Sequence, residues 1–153
     1  MKRRLKIYFV HSLKYDYNNM LYRDLLTDSV LNKHELMLPM SNAYKEKYSK
    51  DLINKADLIV CEVSTPSFTE KLELKWVSKV STPKLYFSFN NAVPKTFSKY
   101  VPAIEYTNND KSYLDLIRNF VNEYSQISEE EAKDPTITLG SLDYEKRRFI
   151  LRQ

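Results

Sequence analysis

The chain has 153 residues, of which 42% are hydrophobic and 29% are charged, and this length and composition predict one folded domain with its own core. The 24 basic and 20 acidic residues leave a formal charge of +4, spread along the chain without a recognisable binding module, so we expect no nucleic-acid partner. One cysteine and two histidines exclude a disulfide framework and predict no metal site, and the apolar runs are too short to cross a bilayer, so we expect a cytoplasmic protein without membrane contacts.

Strands and helices alternate along the chain. Apolar runs rich in β-formers predict five strands, at residues 5–10, 34–38, 57–63, 84–89 and 103–106. Apolar residues at helical spacing predict helices at residues 16–31, 45–56, 67–80 and 110–124. This alternation predicts a three-layer α/β fold of the flavodoxin or Rossmann type, in which helices cover both faces of a mostly parallel, five-stranded sheet. We assign residues 1–127 to this domain.

The remaining residues follow a different pattern. Residues 128–153 include a run of three glutamates at 129–131 and a helix-breaking Pro135. They predict a C-terminal tail that packs on the surface or on a neighbouring subunit, with disorder as the alternative.

Polar residues stand at the carboxyl ends of the first and third predicted strands, where parallel α/β sheets bind ligands. His11 and Ser12 follow the first strand; His11 is a candidate general base or phosphate partner, and Ser12 binds an anion or hydroxyl group, or is an ordinary cap. Glu62 and Ser64 end the third strand, where Glu62 is either a second functional carboxylate or a polar strand end bonded to nearby backbone. Tyr8, within the first strand, either points its phenol toward this cleft or belongs to the core.

Two further residues, Gly140 and His34, bear on which groups could form a site. The only glycine is Gly140, so a glycine-rich phosphate loop is excluded, and a phosphate group has to be held by helix N-termini, hydroxyl groups or basic side chains. His34 is interpreted as a surface residue of the second strand.

The helix predicted after the third strand carries a carboxylate among apolar residues. Ser67 and Glu70 form a capping box, in which each side chain bonds the other's backbone N–H, so this helix begins near Phe68. At about 100° per residue, one face collects Phe68, Leu72, Trp76 and Val80. Glu73 falls within this face, where a carboxylate is costly unless it acts as a nucleophile or stabilises positive charge. The alternative is an edge glutamate that reaches solvent or pairs with a lysine.

Residues 56–67, followed by Leu72-Glu73-Leu74, resemble the central motif of nucleoside 2-deoxyribosyltransferases, and resemble more closely the related 2′-deoxynucleoside 5′-monophosphate N-glycosidases. Residues 7–12 are similar to the opening strand of the same superfamily, so the resemblance covers about residues 5–125. It implies that Glu73 is the catalytic glutamate and that Tyr8 and Ser12 are the active-site tyrosine and serine. It also implies a nucleoside or nucleotide substrate, no cofactor, and a homodimer or higher homo-oligomer in which a neighbour completes the site.

Several positions depart from this family pattern. Thr69, Lys71 and Lys75 stand where the family has glycines near the glutamate, and Ser49 stands where it has an aspartate. These departures favour a second hypothesis, a non-catalytic nucleotide-binding or protein-interaction module that retains the fold. The two hypotheses differ in whether Tyr8, Ser12 and Glu73 converge on one cleft, or whether Lys71 or Phe68 fills that space.

A fainter similarity supports a third hypothesis. Residues 9–12 also resemble the start of Toll/interleukin-receptor domains, some of which cleave NAD with a glutamate.

The leading expectation is an N-glycosidic-bond hydrolase or transferase in which Glu73 acts at the anomeric carbon and Tyr8 orients it. His11, Ser12, Glu62, Ser64 and Ser67 are then the predicted substrate-binding residues.

Overall fold

A parallel sheet lies at the centre of the fold. The computed structural model describes residues 4–65, 67–89, 105–106 and 112–125, and the predicted C-terminal tail and Gly140 lie outside them. The described strands are β1 (Lys6–Val10), β2 (Glu35–Met37), β3 (Leu58–Glu62), β4 (Lys84–Ser88) and the short β5 (Glu105–Tyr106). Their order is β2-β1-β3-β4-β5, and each described pair is parallel. The predicted α/β fold with a parallel sheet is confirmed.

Helices connect and follow these strands. The described α-helices are α1 (Arg23–Thr27), α2 (Ser49–Lys55), α3 (Phe68–Val77) and α4 (Ser112–Ser125). The helices predicted at residues 67–80 and 110–124 agree with α3 and α4 to within a few residues at each end. The helix predicted at 45–56 begins later, at α2, because a series of turns occupies residues 42–47.

The helix predicted at residues 16–31 is interrupted. A π-helical turn (Asn18–Tyr22) precedes α1, and a separate 3₁₀ turn (Leu31–Lys33) follows it. Between them, Asp28 has an extended backbone, and its Oδ2 accepts hydrogen bonds from the N–H groups of Val30 and Leu31 at 3.1 and 3.0 Å. An aspartate that bonds the backbone in this way competes with helical hydrogen bonds, which explains the break.

The core consists of two clusters, and each of the strands β1 to β4 contributes to both of them. Ile7 and Phe9 of β1 pack with α1 and α4 residues, among them Leu25, Ile117 and Val121. Tyr8 and Val10 pack with α2 and α3 residues, among them Leu52, Ile53, Leu74 and Val77. Because successive strand side chains point in opposite directions, this division turns Tyr8 toward α2 and α3.

Two exposure predictions are wrong. His34 is buried, since its Nδ1 accepts a hydrogen bond from the Leu5 N–H at 3.0 Å and so satisfies a buried backbone donor. Phe68 is 83% exposed and Leu72 is 38% exposed, because α3 turns a different face to the sheet: Glu70, Glu73, Leu74 and Val77.

None of the helices in the described part of the chain is long and apolar enough to cross a membrane.

Candidate active site

A buried carboxylate on α3 contacts two hydroxyl groups. Glu73 lies in the second half of α3 and is 7% exposed. The hydroxyl of Tyr8, in the middle of β1, donates a hydrogen bond to Glu73 Oε1 at 2.7 Å. The hydroxyl of Ser49, the first residue of α2, also hydrogen-bonds to this carboxyl group. A strand and two helices therefore fix the position of one carboxylate.

The environment of Glu73 gives it a proton affinity suited to neutral pH. Burial raises the pKa of Glu73 to about 7, although the hydrogen bonds from Tyr8 and Ser49 act to lower it. Burial and the nearby Glu73 charge raise the pKa of the Tyr8 phenol, so this hydroxyl stays protonated and donates. A carboxylate in this state suits nucleophilic or charge-stabilising chemistry near neutral pH.

A second buried carboxylate ends β3. Glu62 Oε2 accepts a hydrogen bond from the Ser64 N–H at 2.9 Å, and the Ser64 hydroxyl and the Phe89 N–H also bond to this carboxyl group. Burial nevertheless raises the pKa of Glu62. These backbone bonds match the polar strand end considered from the sequence, while Glu62 Oε1 has no hydrogen-bond partner in the described residues.

The predicted capping box forms only in part. The Glu70 N–H donates to Ser67 Oγ at 3.2 Å, so Ser67 is the N-cap of α3 as predicted. The Glu70 carboxyl group does not bond back to Ser67: it is fully buried, and within the described part of the chain both of its oxygens lack a hydrogen-bond partner. Burial, followed by the charges of Glu62 and Glu73, raises the pKa of Glu70 to about 10. Glu70 thus interacts electrostatically with both Glu62 and Glu73.

No protein-family model and no curated protein matches this sequence.

His11 belongs to a closed hydrogen-bond chain. Its Nδ1 lies 2.9 Å from the Ser12 carbonyl oxygen and its Nε2 lies 2.6 Å from the Tyr22 hydroxyl, which itself accepts a hydrogen bond from the Met40 N–H. The carbonyl can only accept, so Nδ1 carries the proton. Burial lowers the pKa of His11, so Nε2 accepts from Tyr22. Both ring nitrogens are engaged in holding the loop after β1.

Ser12 and Tyr15 complete that loop. Ser12 is fully buried, and its Oγ accepts a hydrogen bond from the Lys14 N–H at 3.0 Å, which is the capping role considered as the alternative. Tyr15 is half-buried, but its hydroxyl is buried without a hydrogen-bond partner in the described residues. Burial and the charges of Glu62 and Glu70 raise its pKa. The Tyr15 hydroxyl therefore lies within electrostatic range of Glu62 and Glu70.

The structure brings only some of the predicted residues into contact. Tyr8 meets Glu73 directly, while the side chains of Lys71 and Phe68 are exposed. Ser12 accepts its hydrogen bond from the Lys14 N–H and Ser67 from the Glu70 N–H, so neither of these bonds involves Glu73. Four residues of the site were not predicted as functional: Tyr15, Tyr22, Ser49 and Glu70. For Ser49 the signal was its alignment with the family's aspartate; for the others the sequence carried none.

The surface next to the site offers a separate feature. A depression of about 280 Å³ lies on α2 and α3, and its lining includes Lys50, Lys75, Lys79 and Trp76 but neither Tyr8 nor Glu73. Within the described ranges, no group of three or more His, Cys, Asp or Glu side chains is arranged to hold a metal ion.

Proposed function

We propose that the protein is an N-glycosidic-bond hydrolase or transferase of the nucleoside 2-deoxyribosyltransferase superfamily, acting on a nucleoside or nucleotide. The observation that carries this proposal is the buried Glu73 carboxyl group held by Tyr8 and Ser49. These residues lie on β1, α2 and α3, at the positions where the resemblance implies the catalytic centre. The hydroxyl of Ser49 takes up the contact with Glu73 at the position of the family's aspartate.

The proposed chemistry proceeds at the anomeric carbon. As the C1′–N bond breaks, its electron pair leaves with the base, and a Glu73 oxygen bonds to C1′ or balances the positive charge of an oxocarbenium-like state. Water then delivers a hydroxyl group to C1′, or a second base delivers its nitrogen. Any bond from Glu73 to C1′ breaks in this step, and its electron pair returns to the Glu73 carboxylate. The hydrogen bond from Tyr8 orients the attacking carboxylate.

Substrate binding is assigned to the loops that surround this carboxylate. Ser12, His11, Glu62, Ser64 and Ser67 occupy the ends of β1 and β3 and the start of α3, where an anion or sugar hydroxyl group would be held. Ser12 and His11 form hydrogen bonds within the protein that hold this loop in place. Either residue would have to replace one of these bonds with a bond to the substrate in order to bind it.

The proposal also covers the layers of the fold and the number of strands in the sheet. We place helices on both faces of a five-stranded, flavodoxin- or Rossmann-like sheet, since alternate residues of β1 join clusters with α1 and α4 and with α2 and α3. The pairing of the short β5 with β4 supports the fifth strand.

The substrate class is tested by incubating the protein with nucleosides, their 5′-monophosphates and NAD, and measuring released base by chromatography. We expect base release from a nucleoside or its monophosphate, and loss of this release in a Glu73→Ala variant. Release from NAD alone would instead support the resemblance to Toll/interleukin-receptor domains. No release from any compound by the folded protein would refute the enzymatic proposal.

A non-catalytic binding module is the second candidate. Tyr8 is fully buried and Glu73 nearly so, a degree of burial that also suits a polar pair retained only for structure. In that case nucleotides bind without being cleaved, which calorimetry on the same panel detects.

We further propose a homo-oligomer, because α3 exposes apolar side chains. Phe68 and Leu72 lie one turn apart and are exposed, and Trp76 continues the same stripe. A second copy of the chain would cover this stripe. We expect the wild type to elute as a dimer or larger species in chromatography with light scattering, and the double variant Phe68→Ser/Leu72→Ser as a monomer.

The matched control for that experiment is Leu26→Ser, which removes an exposed leucine on α1. This control is expected to keep the oligomeric state of the wild type. A monomeric wild type would exclude the homo-oligomer.

A further inference from the structure

Glu70 is a buried carboxyl group next to Glu73 that has no role in the chemistry proposed above. It lies one turn before Glu73 on the buried face of α3. Its side chain is fully buried, and neither oxygen has a hydrogen-bond partner in the described residues. A buried polar group without a partner costs about 1–3 kcal/mol, so its retention requires an explanation such as a catalytic role.

The hydrogen bonds of its neighbours indicate which of the three carboxyl groups holds a proton. Glu73 accepts from Tyr8 and Ser49, and Glu62 accepts from Ser64 and from the Phe89 backbone. Hydrogen bonds of this kind favour the charged form of a carboxyl group, whereas nearby like charges disfavour it. Glu70 has no such donor and interacts with both of the other carboxyl groups. Glu70 is therefore the neutral acid of the cluster.

We propose that Glu70 donates the proton that the departing base needs when the glycosidic bond breaks. This inference rests on the proposed glycosidase or transferase function and deepens it. Glu70, as a neutral acid, and Glu73, as a carboxylate, then lie one turn apart on α3. Where the environments of two carboxyl groups keep one protonated and the other ionised, the first can act as the acid and the second as the nucleophile or charge stabiliser.

The atoms and charges of the step balance. As the C1′–N bond breaks, its electron pair moves into the base, and the Glu70 proton is transferred to a ring nitrogen or carbonyl oxygen of that base. Glu70 becomes a carboxylate, and Glu73 bonds to C1′ or balances its charge. Water then gives its hydroxyl group to C1′ and its proton to Glu70, which restores the neutral acid. Where Glu73 has bonded to C1′, that C1′–O bond breaks in the same step and its electron pair returns to the Glu73 carboxylate.

Tyr15 marks the side from which the base reaches Glu70. Of the described groups that interact electrostatically with Glu70, namely Cys61, Glu62, Glu73 and Tyr15, only Tyr15 is less than fully buried. Its hydroxyl is affected by the charges of Glu62 and Glu70 and has no hydrogen-bond partner in the described residues. The base therefore approaches Glu70 past the Tyr15 side chain.

The test compares two leaving groups in the wild type and in Glu70→Gln, which keeps the shape of the acid but cannot donate a carboxyl proton. The substrates are 2′-deoxyguanosine 5′-monophosphate and its 7-methyl derivative, which already carries the positive charge that protonation would supply. We expect Glu70→Gln to slow release of guanine by about a hundredfold or more, the usual contribution of a general acid. Release of 7-methylguanine should remain within about twofold, because that base leaves without a proton.

The outcomes separate this inference from the proposed function. If the wild type releases neither base from these substrates nor any base from the panel described above, the proposed function fails and this inference fails with it. If Glu70→Gln slows both substrates equally, or slows neither, Glu70 is structural and only this inference is refuted. Glu70→Asp, which keeps a shorter acid, is expected to recover part of the guanine release, while Glu70→Val recovers none. Circular dichroism of each variant shows that the fold is retained.

Discussion

Replacing Glu73 by glutamine should slow base release by about a thousandfold or more, equivalent to ~4 kcal/mol of transition-state stabilisation. Glutamine can still accept the Tyr8 hydrogen bond that Glu73 Oε1 accepts in the wild type. It has no negative charge to bond to C1′ or to balance an oxocarbenium-like state. The loss should therefore appear in kcat, measured by chromatography of the released base, with little change in the fold.

The pH dependence follows from the same carboxyl group. Because the pKa of Glu73 is raised to about 7 and the ionised form is needed, the wild-type rate should fall about tenfold for each pH unit below that value. If Glu70 supplies the proton, the rate should also fall at high pH, since the pKa of Glu70 is raised to about 10. Tyr8→Phe removes a hydrogen bond that lowers the pKa of Glu73, so it should move the acidic limb of the profile upward.

The control for these measurements is Glu46→Gln, which removes an exposed carboxylate in the turn before α2 and is expected to leave the rate and its pH profile unchanged. Activity in Glu73→Gln that matches the wild type would remove Glu73 from the mechanism. An acidic limb that Tyr8→Phe leaves in place would show that Tyr8 does not set the ionisation of Glu73.

The strands were predictable because their signal is local. The runs around β1, β3 and β4 are apolar over consecutive residues, as strands buried within a parallel sheet require, and the structure places them within one or two residues of the prediction. The contact between Tyr8 and Glu73 was suggested by the resemblance to a known motif. Spacing alone could not show it, because the two residues are far apart in sequence.

The orientation of α3 could not be predicted from its pattern. The helix has two candidate faces, and the stripe that includes Phe68 and Leu72 is the more apolar one. The face that meets the sheet instead contains Glu70 and Glu73, and Glu73 is held there by hydrogen bonds from Tyr8 and Ser49. The choice between the faces depends on contacts with Tyr8 and Ser49, which are remote in the chain. The burial of His34 likewise depends on a backbone donor of Leu5, which no local pattern identifies.

The stability of the fold should depend on pH through Glu70, and Glu70→Gln should remove much of that dependence. The pKa of Glu70 is raised from its ordinary 4.5 to about 10 in the folded protein. Below pH 4.5 the group is protonated in both the folded and the unfolded chain, so its titration does not change the stability. Above that value the unfolded chain ionises while the folded chain keeps its proton, so stability falls as pH rises toward 10. At pH 7 this cost amounts to about 3 kcal/mol.

Glutamine is neutral at every pH and occupies nearly the same volume, so Glu70→Gln should match the wild type near pH 4 and exceed its stability by up to about 3 kcal/mol at pH 7. Urea unfolding followed by circular dichroism, at several pH values between 4 and 8, measures this difference. Glu46→Gln serves again as the control and should show no growing difference with pH. A wild type and a Glu70→Gln variant whose stabilities change in parallel with pH would show that Glu70 is ionised in the folded protein. In that case Glu70 has no proton to give to a departing base at neutral pH, and the proton has to come from another group or from water.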